Sequence, residues 1–330
     1  MQRILDARHH RYALKRPFRI SRGVKTSADV ISVTLRQGDA VGRGEGVPYP
    51  HYGESIASAL ASIEGVRPAI ERGVDRAALL GLLPPGAARN AIDCAMWDLE
   101  ARLLGVDVAT MLGGKEPNIV TSALTISLDA RPAMSIAAAR MAKVPLIKVK
   151  VDAIDPVGQI RAVRDAAPTA ALIVDPNESW DEAMVRAMEP TLVGARVAML
   201  EQPVPAGSDA WLEGYSSAVP ICADESFHVA GDLAIVARRY AVVNIKLDKT
   251  GGLTAALDAT RAARDAGLGL MTGCMVSSSL SIAPAFHLAA RSDFVDLDGP
   301  LWLADDWAGG VRDEQGMLVA PDRGFWGQAA

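Results

Sequence analysis

From Ala28 to Pro50 the chain reads ADVISVTLRQGDAVGRGEGVPYP, alternating apolar and polar residues as half-buried strands do. Gln37-Gly38-Asp39 supplies a turn between two of these strands. Gly42, Gly44 and Gly46 loosely resemble a nucleotide-binding loop. Val47 stands where GxGxxG needs its last glycine, so the hairpin reading is preferred. Residues 53–112 then change period. In GAARNAIDCAMWDLEARLLG, Ile92, Ala95, Met96, Leu99 and Leu103 recur at helical spacing, and Gly105 ends the helix. Trp97 and Met96 are assigned to core packing. Residues 1–115 therefore read as α+β, strands first and helices after.

The pattern changes again at Asn118. Short β-rich runs now alternate with alanine-rich helical runs such as MSIAAARMAKV and GGLTAALDATRAARDAGLG. Eight strands are expected, at 120–128, 146–151, 171–177, 197–203, 220–226, 242–247, 268–274 and 293–299. Such alternation implies parallel strands joined by crossover helices, and eight units imply a closed (β/α) barrel. The expected division is an α+β domain over 1–117, a barrel over 118–300, and a Trp- and Gly-rich segment over 301–330 that packs back on the first domain.

Composition narrows the function classes. Half of the 330 residues are hydrophobic and 22% are charged, which excludes disorder as the main state. Thirty-four basic against 39 acidic residues give a net charge of −5, which argues against a nucleic-acid surface. Cys94, Cys222 and Cys274 are widely spaced and form no CxxC, so a reduced, cytoplasmic setting is expected. The five histidines form no HxH or HExxH, and neither a secretory signal nor a membrane span is expected.

Barrel chemistry stands at the C-terminal ends of the strands. Those ends carry Lys148 and Lys150, then Asp175, Glu201, Asp224 and Lys246, with Asp296 and Asp298 on the last strand. From Lys150 to Lys246 successive members lie 22–26 residues apart, in phase with the β/α units. Singly, Asp175 before Pro176 could be a turn residue, Glu201 a strand end, and Asp224 a helix cap. Together, three carboxylates aimed at one point repel, and a divalent cation removes that cost; hard oxygen ligands suit Mg²⁺. Lys148 and Lys150 share one strand face and point inward. A salt-bridge cluster with the acids is the structural alternative. In the functional reading, burial, a neighbouring ammonium and the cation lower a lysine's proton affinity, so that a neutral amine can take a proton. Lys246, four strands on, lies across the barrel from Lys150. Two amines flanking one carbon can remove a proton from one side and return it on the other. Mg²⁺ would stabilise the enolate charge left on the substrate carboxylate.

These marks resemble the enolase superfamily, in its muconate-lactonizing-enzyme-like subgroup. The carriers are Lys148-Val149-Lys150, the acids Asp175, Glu201 and Asp224, and NIKLDKTGG with Lys246. MTGCMV, at the seventh strand, lacks the histidine of the mandelate-racemase-type subgroup. Within the subgroup the chain is similar to L-Ala-D/L-Glu dipeptide epimerases through PYPHYGES, LIVDPNESW, AMLEQPVPA, PICADES and DLDGP. The resemblance implies a (β/α)7β barrel with an N-terminal capping domain, an isomerase activity in murein peptide salvage, and a dipeptide substrate. It is also compatible with a homo-oligomer. It implies that Lys150 and Lys246 exchange the α-proton while Lys148 assists. Asp296 and Asp298 would hold the dipeptide ammonium, and a capping loop over 20–29 would close on the substrate. Arg22 and Lys25 in that loop suit a glutamate side-chain carboxylate, with a solvated loop as the alternative. Thr125 and Cys274 are further candidates for pocket contacts. Other reactions of the same subgroup remain as the alternative: cycloisomerisation, o-succinylbenzoate synthesis and N-acylamino-acid racemisation. None of these needs an ammonium seat. A non-catalytic binding barrel predicts degraded strand ends, and none of the charged positions is missing.

Overall fold

The structure is a computed structural model that describes residues 2–115 and 118–328. The expected boundary after residue 117 falls beside residues 116 and 117, which lie outside the described residues. The N-terminal part opens with a meander of long antiparallel strands, β1 (Arg3–Ile20), β2 (Gly23–Gln37) and β3 (Ala40–Gly46). Four helices follow: α1 (Ile56–Glu71), α2 (Arg76–Leu82), α3 (Ala87–Leu104) and α4 (Val108–Met111). Gly105 closes α3 in the left-handed conformation, with φ of 64°.

The glycine run on β3 is a packing device. A Cβ at Gly42, Gly44 or Gly46 would lie 2.2 Å from the carbonyl oxygen of Ala95, Ala91 or Ala87, respectively. Two strand residues and four helix residues each span about 6–7 Å, so alternate glycines meet successive turns of α3. Only backbone without a side chain permits that approach.

The barrel strands are β5 (Leu124–Ile126), β6 (Leu146–Lys150), β7 (Ala171–Asp175), β8 (Val197–Glu201), β9 (Ile221–Ala223), β10 (Val242–Ile245), β11 (Gly269–Gly273) and β12 (Phe294–Asp296). They form one parallel sheet in sequence order. The seam between β12 and β5 is closed by Ala123 N–H to the Val295 carbonyl (2.7 Å) and Leu297 N–H to Ser122 Oγ (2.9 Å). The crossover helices are α5 (Arg131–Arg140), α6 (Pro156–Ala166), α7 (Glu182–Gly194), the short α8 (Leu233–Val236) and α9 (Leu247–Thr250), α10 (Leu253–Asp265) and α11 (Ser279–Ala289). Between β8 and β9 there is only a single 3₁₀ turn, Ala210–Leu212. β4 (Ile119–Thr121) leaves the barrel to pair with β14 (Met317–Val319), itself paired with β13 (Arg312–Glu314). The C-terminal segment reaches the first domain. Trp326 Nε1 donates to the Arg43 carbonyl at 2.9 Å, and Gly327 N–H to Asp98 at 2.8 Å.

The strand alternation sets out the site in layers. Ala123, Leu146, Ile173, Met199, Cys222, Val242 and Met271 form one inner apolar cluster, the barrel floor. Two residues further along each strand, on the same face, stand Thr125, Lys148, Asp175, Glu201, Asp224, Asn244, Gly273 and, on β12, Asp296. Two residues further again stand Lys150, Lys246 and Asp298. The intervening residues, among them Ile147, Val149, Leu172, Val174 and Val243, join the outer core.

Candidate active site

The inner layer is an ionic lattice. Lys148 Nζ lies 2.8 Å from Glu201, 2.9 Å from Asp296 and 3.1 Å from Asp175. Lys150 Nζ lies 2.5 Å from Asp175 Oδ2, and Lys246 Nζ 2.6 Å from Asp224 Oδ2. All of these side chains are buried. Burial alone would pull the Lys148 and Lys246 ammonium groups down, but the carboxylates outweigh it. Asp296, Glu201 and Asp175 hold Lys148 well above the usual lysine range, and Asp224 holds Lys246 above it. Burial, a neighbouring ammonium and a bound cation are the lowering influences expected from the sequence; in the protein alone the carboxylates prevail, at 2.8–3.1 Å from Lys148 and 2.6 Å from Lys246. Asp175 is pulled down to about 2: Lys150 and Lys148 overcome its burial. Glu201 is pushed up by burial and by the negative charges of Asp175 and Asp224, despite Lys148.

Among the described residues, no group of three or more His, Cys, Asp or Glu side chains is arranged to hold a metal ion as it stands. Lys148, Lys150 and Lys246 sit on the three acids instead. The donor chemistry nevertheless fits a hard dication: three buried carboxylates on neighbouring strands still repel one another at Glu201.

Asp296 and Asp298 close the far side. Lys148 takes Oδ2 of Asp296, while Oδ1 is buried with no hydrogen-bond partner among the described residues. The Thr125 N–H (2.7 Å) and the Trp302 indole N–H (3.2 Å) both donate to Oδ2 of Asp298. Thr125 thus acts on Asp298 through both its backbone and its side chain. Burial and the neighbouring Asp296 push Asp298 up to about 6. A cavity of about 260 Å³ joins these residues to Lys150, Lys246 and Cys274.

The expected capping loop is the tip of the β1–β2 hairpin, Ser21-Arg22. Ser21 Oγ donates to the Pro176 carbonyl at 2.9 Å. Arg22 lines the cavity and donates to the Asn177 carbonyl (3.0 Å), Glu178 (2.7 Å) and Glu225 (2.6 Å). Lys25 also lines the cavity, with its ammonium 4.5 Å from the Tyr49 ring centroid and no ion-pair partner among the described residues. Glu178 gathers the roof, because His51 Nε2 reaches it at 2.8 Å alongside Arg22. The strand-end turns that carry these contacts are tight: Asn177, Glu178 and Gln202 have φ of 47°, 67° and 30°.

The structure adds residues the sequence reading did not single out. Gln202 accepts from the Asp224 and Ser226 N–H groups and so ties the β8 end to the β9 end. Asn244 donates to Glu201 at 2.9 Å, in space that a side chain at Gly273 would fill. Lys249 donates to Asp224. Each stands at fixed spacing from a quoted motif: one residue after Glu201, and two before or three after Lys246. That spacing was the available signal.

A parallel barrel with a capping domain, its acids and lysines in register at the strand ends, defines an enzyme of the enolase type. Residues 5–113 match the mandelate racemase / muconate lactonizing enzyme N-terminal domain, and residues 133–325 match the enolase C-terminal domain-like family. The chain belongs to this family. It is 46% identical to the L-Ala-D/L-Glu epimerase of Escherichia coli (strain K12), over 89% of this chain and 92% of that one. It is 40% identical to an N-acetyl-D-glutamate racemase of Pseudoalteromonas sp, over 91% and 96% of the two chains. Among solved structures, an enolase family member from Agrobacterium tumefaciens with homology to dipeptide epimerases, with bound sodium and L-Ala-L-Glu, superposes with a TM-score of 0.96. That protein is 43% identical, and the match covers 98% of this chain and 100% of that one.

Proposed function

We propose that the chain is a Mg²⁺-dependent L-Ala-D/L-Glu epimerase that acts by 1,1-proton transfer. The observation that carries this reading is the acidic seat of Asp296 and Asp298 at one end of a cavity whose walls present Lys150 and Lys246. A free α-ammonium matches that seat. With the ammonium there, the second residue's α-carbon falls toward the two lysines, which stand four strands apart around the barrel. One lysine takes the α-proton and the other returns it on the opposite face. Lys148 holds Asp175, Glu201 and Asp296 in place and keeps positive charge beside the substrate carboxylate. Asp175, Glu201 and Asp224 would hold the ion, which when bound stabilises negative charge developing on that carboxylate. Lys25, which has no ion-pair partner among the described residues, suits the acidic side chain of the second residue. A dipeptide with a free N-terminus is a product of amide hydrolysis, and we place the enzyme in murein peptide salvage. The three free cysteines fit a reducing cytoplasm. No described helix is long and apolar enough to cross a membrane.

The test is a dipeptide mixture incubated with enzyme and Mg²⁺ in D₂O and read by mass spectrometry, with N-acetylglutamate as a separate arm. The expected outcome is α-deuteration of both L-Ala-L-Glu and L-Ala-D-Glu. Absence of uptake by dipeptides, or faster uptake by N-acetylglutamate, which has no ammonium for the seat, would overturn the reading.

A further inference from the structure

Lys249 is a fully buried cation that faces no ligand space. Its side chain has 0% exposure, and it does not line the cavity that Lys246 lines. Buried ammonium groups require full compensation. Lys249 has three partners: Asp224 Oδ1 at 2.6 Å, the Asp224 carbonyl at 2.5 Å and the Asn244 carbonyl at 2.9 Å. All three ammonium protons are therefore used within the protein.

The arrangement around Asp224 is two-sided. Lys246 takes Oδ2 at 2.6 Å from the cavity side, and Lys249 takes Oδ1 from behind. Both lysines belong to one short piece of backbone, since Lys246 caps α9 and Lys249 N–H donates to the Lys246 carbonyl at 3.0 Å. That turn is clamped from the capping domain. Arg89 donates to the carbonyls of Thr250 (2.6 Å) and Gly251 (3.1 Å), and Asp248 accepts from the Val47 N–H and Asn90, both at 2.8 Å. Gly252 is fixed as glycine, with φ of 113° and Asp93 2.5 Å from where a Cβ would stand. A carboxylate held at one oxygen and at its own carbonyl by the same ammonium cannot rotate about its side-chain bonds. The opposite lysine has a different support. Lys150 leans on Oδ2 of Asp175, an oxygen that Lys148 shares at 3.1 Å from within the barrel, while Oδ1 accepts from the Asn177 N–H and not from a lysine behind it.

We infer that Lys249 is a positioning residue for one half of the reaction: by locking Asp224 from behind, it aims the Lys246 amine at its face of the substrate. The inference rests on the two-lysine reading above, and predicts an asymmetry that general support of the site does not. Misplacement of a reacting group by about 1 Å costs on the order of 100-fold. In Lys249→Met, α-proton exchange should therefore fall by about 10- to 100-fold for the epimer served by Lys246. Exchange from the epimer served by Lys150 should change by less than about threefold.

The experiment follows α-deuteration of L-Ala-L-Glu and L-Ala-D-Glu separately in D₂O, for the parent, Lys246→Ala and Lys249→Met, each at saturating Mg²⁺. Lys246→Ala identifies which epimer Lys246 serves. If it shows no one-sided loss, the two-lysine reading itself fails. If it does while Lys249→Met loses both epimers equally or neither, the inference about Lys249 is overturned. Calorimetric titration of Mg²⁺ without dipeptide supplies a readout apart from turnover. Affinity close to the parent is expected. A large loss of Mg²⁺ affinity together with symmetric loss of exchange would make Lys249 a support of the ion site alone. Where Lys249→Met does not fold, Lys249→Gln, which keeps a donor toward the Asn244 carbonyl, carries the same expectation.

Discussion

Two cations stand three residues apart at one hairpin tip, and their surroundings give them different work. Arg22 lines the cavity but already donates to Glu178, Glu225 and the Asn177 carbonyl, which tie it to the barrel side of the roof. Lys25 lies over the face of Tyr49 and has no ion-pair partner among the described residues. A charge-assisted hydrogen bond contributes about 1.5–3 kcal/mol, so Lys25→Met should lower kcat/KM for L-Ala-L-Glu by about 10- to 100-fold. L-Ala-L-Leu should be nearly indifferent to it. Arg22→Met is expected to lower both substrates alike, because its contacts with Glu178, Glu225 and the Asn177 carbonyl hold the roof. Steady-state kinetics on the two dipeptides decides; equal losses in Lys25→Met would remove Lys25 from the specificity role. At this scale the strand-end acids and lysines were legible, because one charged residue per β/α unit recurs in phase. The split between Arg22 and Lys25 was not, since Glu178 and Glu225 lie more than 150 residues away in sequence. The upward shift of Lys148 and Lys246 was equally hidden, for it depends on which charge is nearest, a matter of ångströms.

At the scale of elements, the roof is a β-hairpin tip and a short turn, Pro50–Tyr52, resting on one carboxylate. Glu178 binds Arg22 from the first and His51 from the second, and its other oxygen accepts the Ala206 N–H at 2.8 Å. Glu178→Gln keeps the shape but removes the charge that both loops share. The expected result is a rise in KM of about 10-fold with a smaller change in kcat, since the loss falls on closure. Hydrogen exchange should accelerate in residues 20–25 and 49–53 together; loosening of only one segment would show that the two loops close independently. The strands themselves were legible in number, order and centre, and the observed ones are shorter. The expected strand over 171–177 ends at Asp175 because Asn177 and Glu178 turn left-handed. The one over 220–226 ends at Ala223 because Gln202 takes the Asp224 and Ser226 N–H groups. The one over 120–128 divides into β4 and β5, since Ile119–Thr121 pairs with the C-terminal sheet. In each case the expected strand runs on into residues whose backbone is committed elsewhere, and pattern alone does not report where a hydrogen bond goes.

At the scale of the whole molecule, the cap and the barrel meet through buried carboxyls. Glu45 on β3 accepts from Ser278 N–H (2.9 Å) and Oγ (2.5 Å) at the start of α11. Asp248 beside α9 accepts from the Val47 N–H and Asn90, and Asp93 on α3 from the Thr254 N–H and hydroxyl. Burial is the leading cause of an upward shift in all three, to about 8 for Glu45, about 7 for Asp248 and about 6 for Asp93. Hydrogen bonds to the charged forms offset only part of it, and like charge adds to it, from Asp248 and Asp306 at Glu45 and from Glu54 at Asp248. A carboxyl whose pKa rises on folding makes the folded state the better proton binder. Stability contributed this way is fully present below the unfolded value, near about 4, and is lost as pH climbs through the folded values. The interface should therefore weaken progressively from about pH 4 to about pH 8, not on acidification, and most gently in the last part, where only Glu45 still titrates. Thermal unfolding followed from about pH 5 to about pH 9 should show Tm declining across that window. Glu45→Gln, which cannot ionise, should flatten the alkaline part of the decline. A Tm that rises from about pH 6 to about pH 8, or a Glu45→Gln profile parallel to the parent, would mean that the cap–barrel contact keeps these carboxyls ionised.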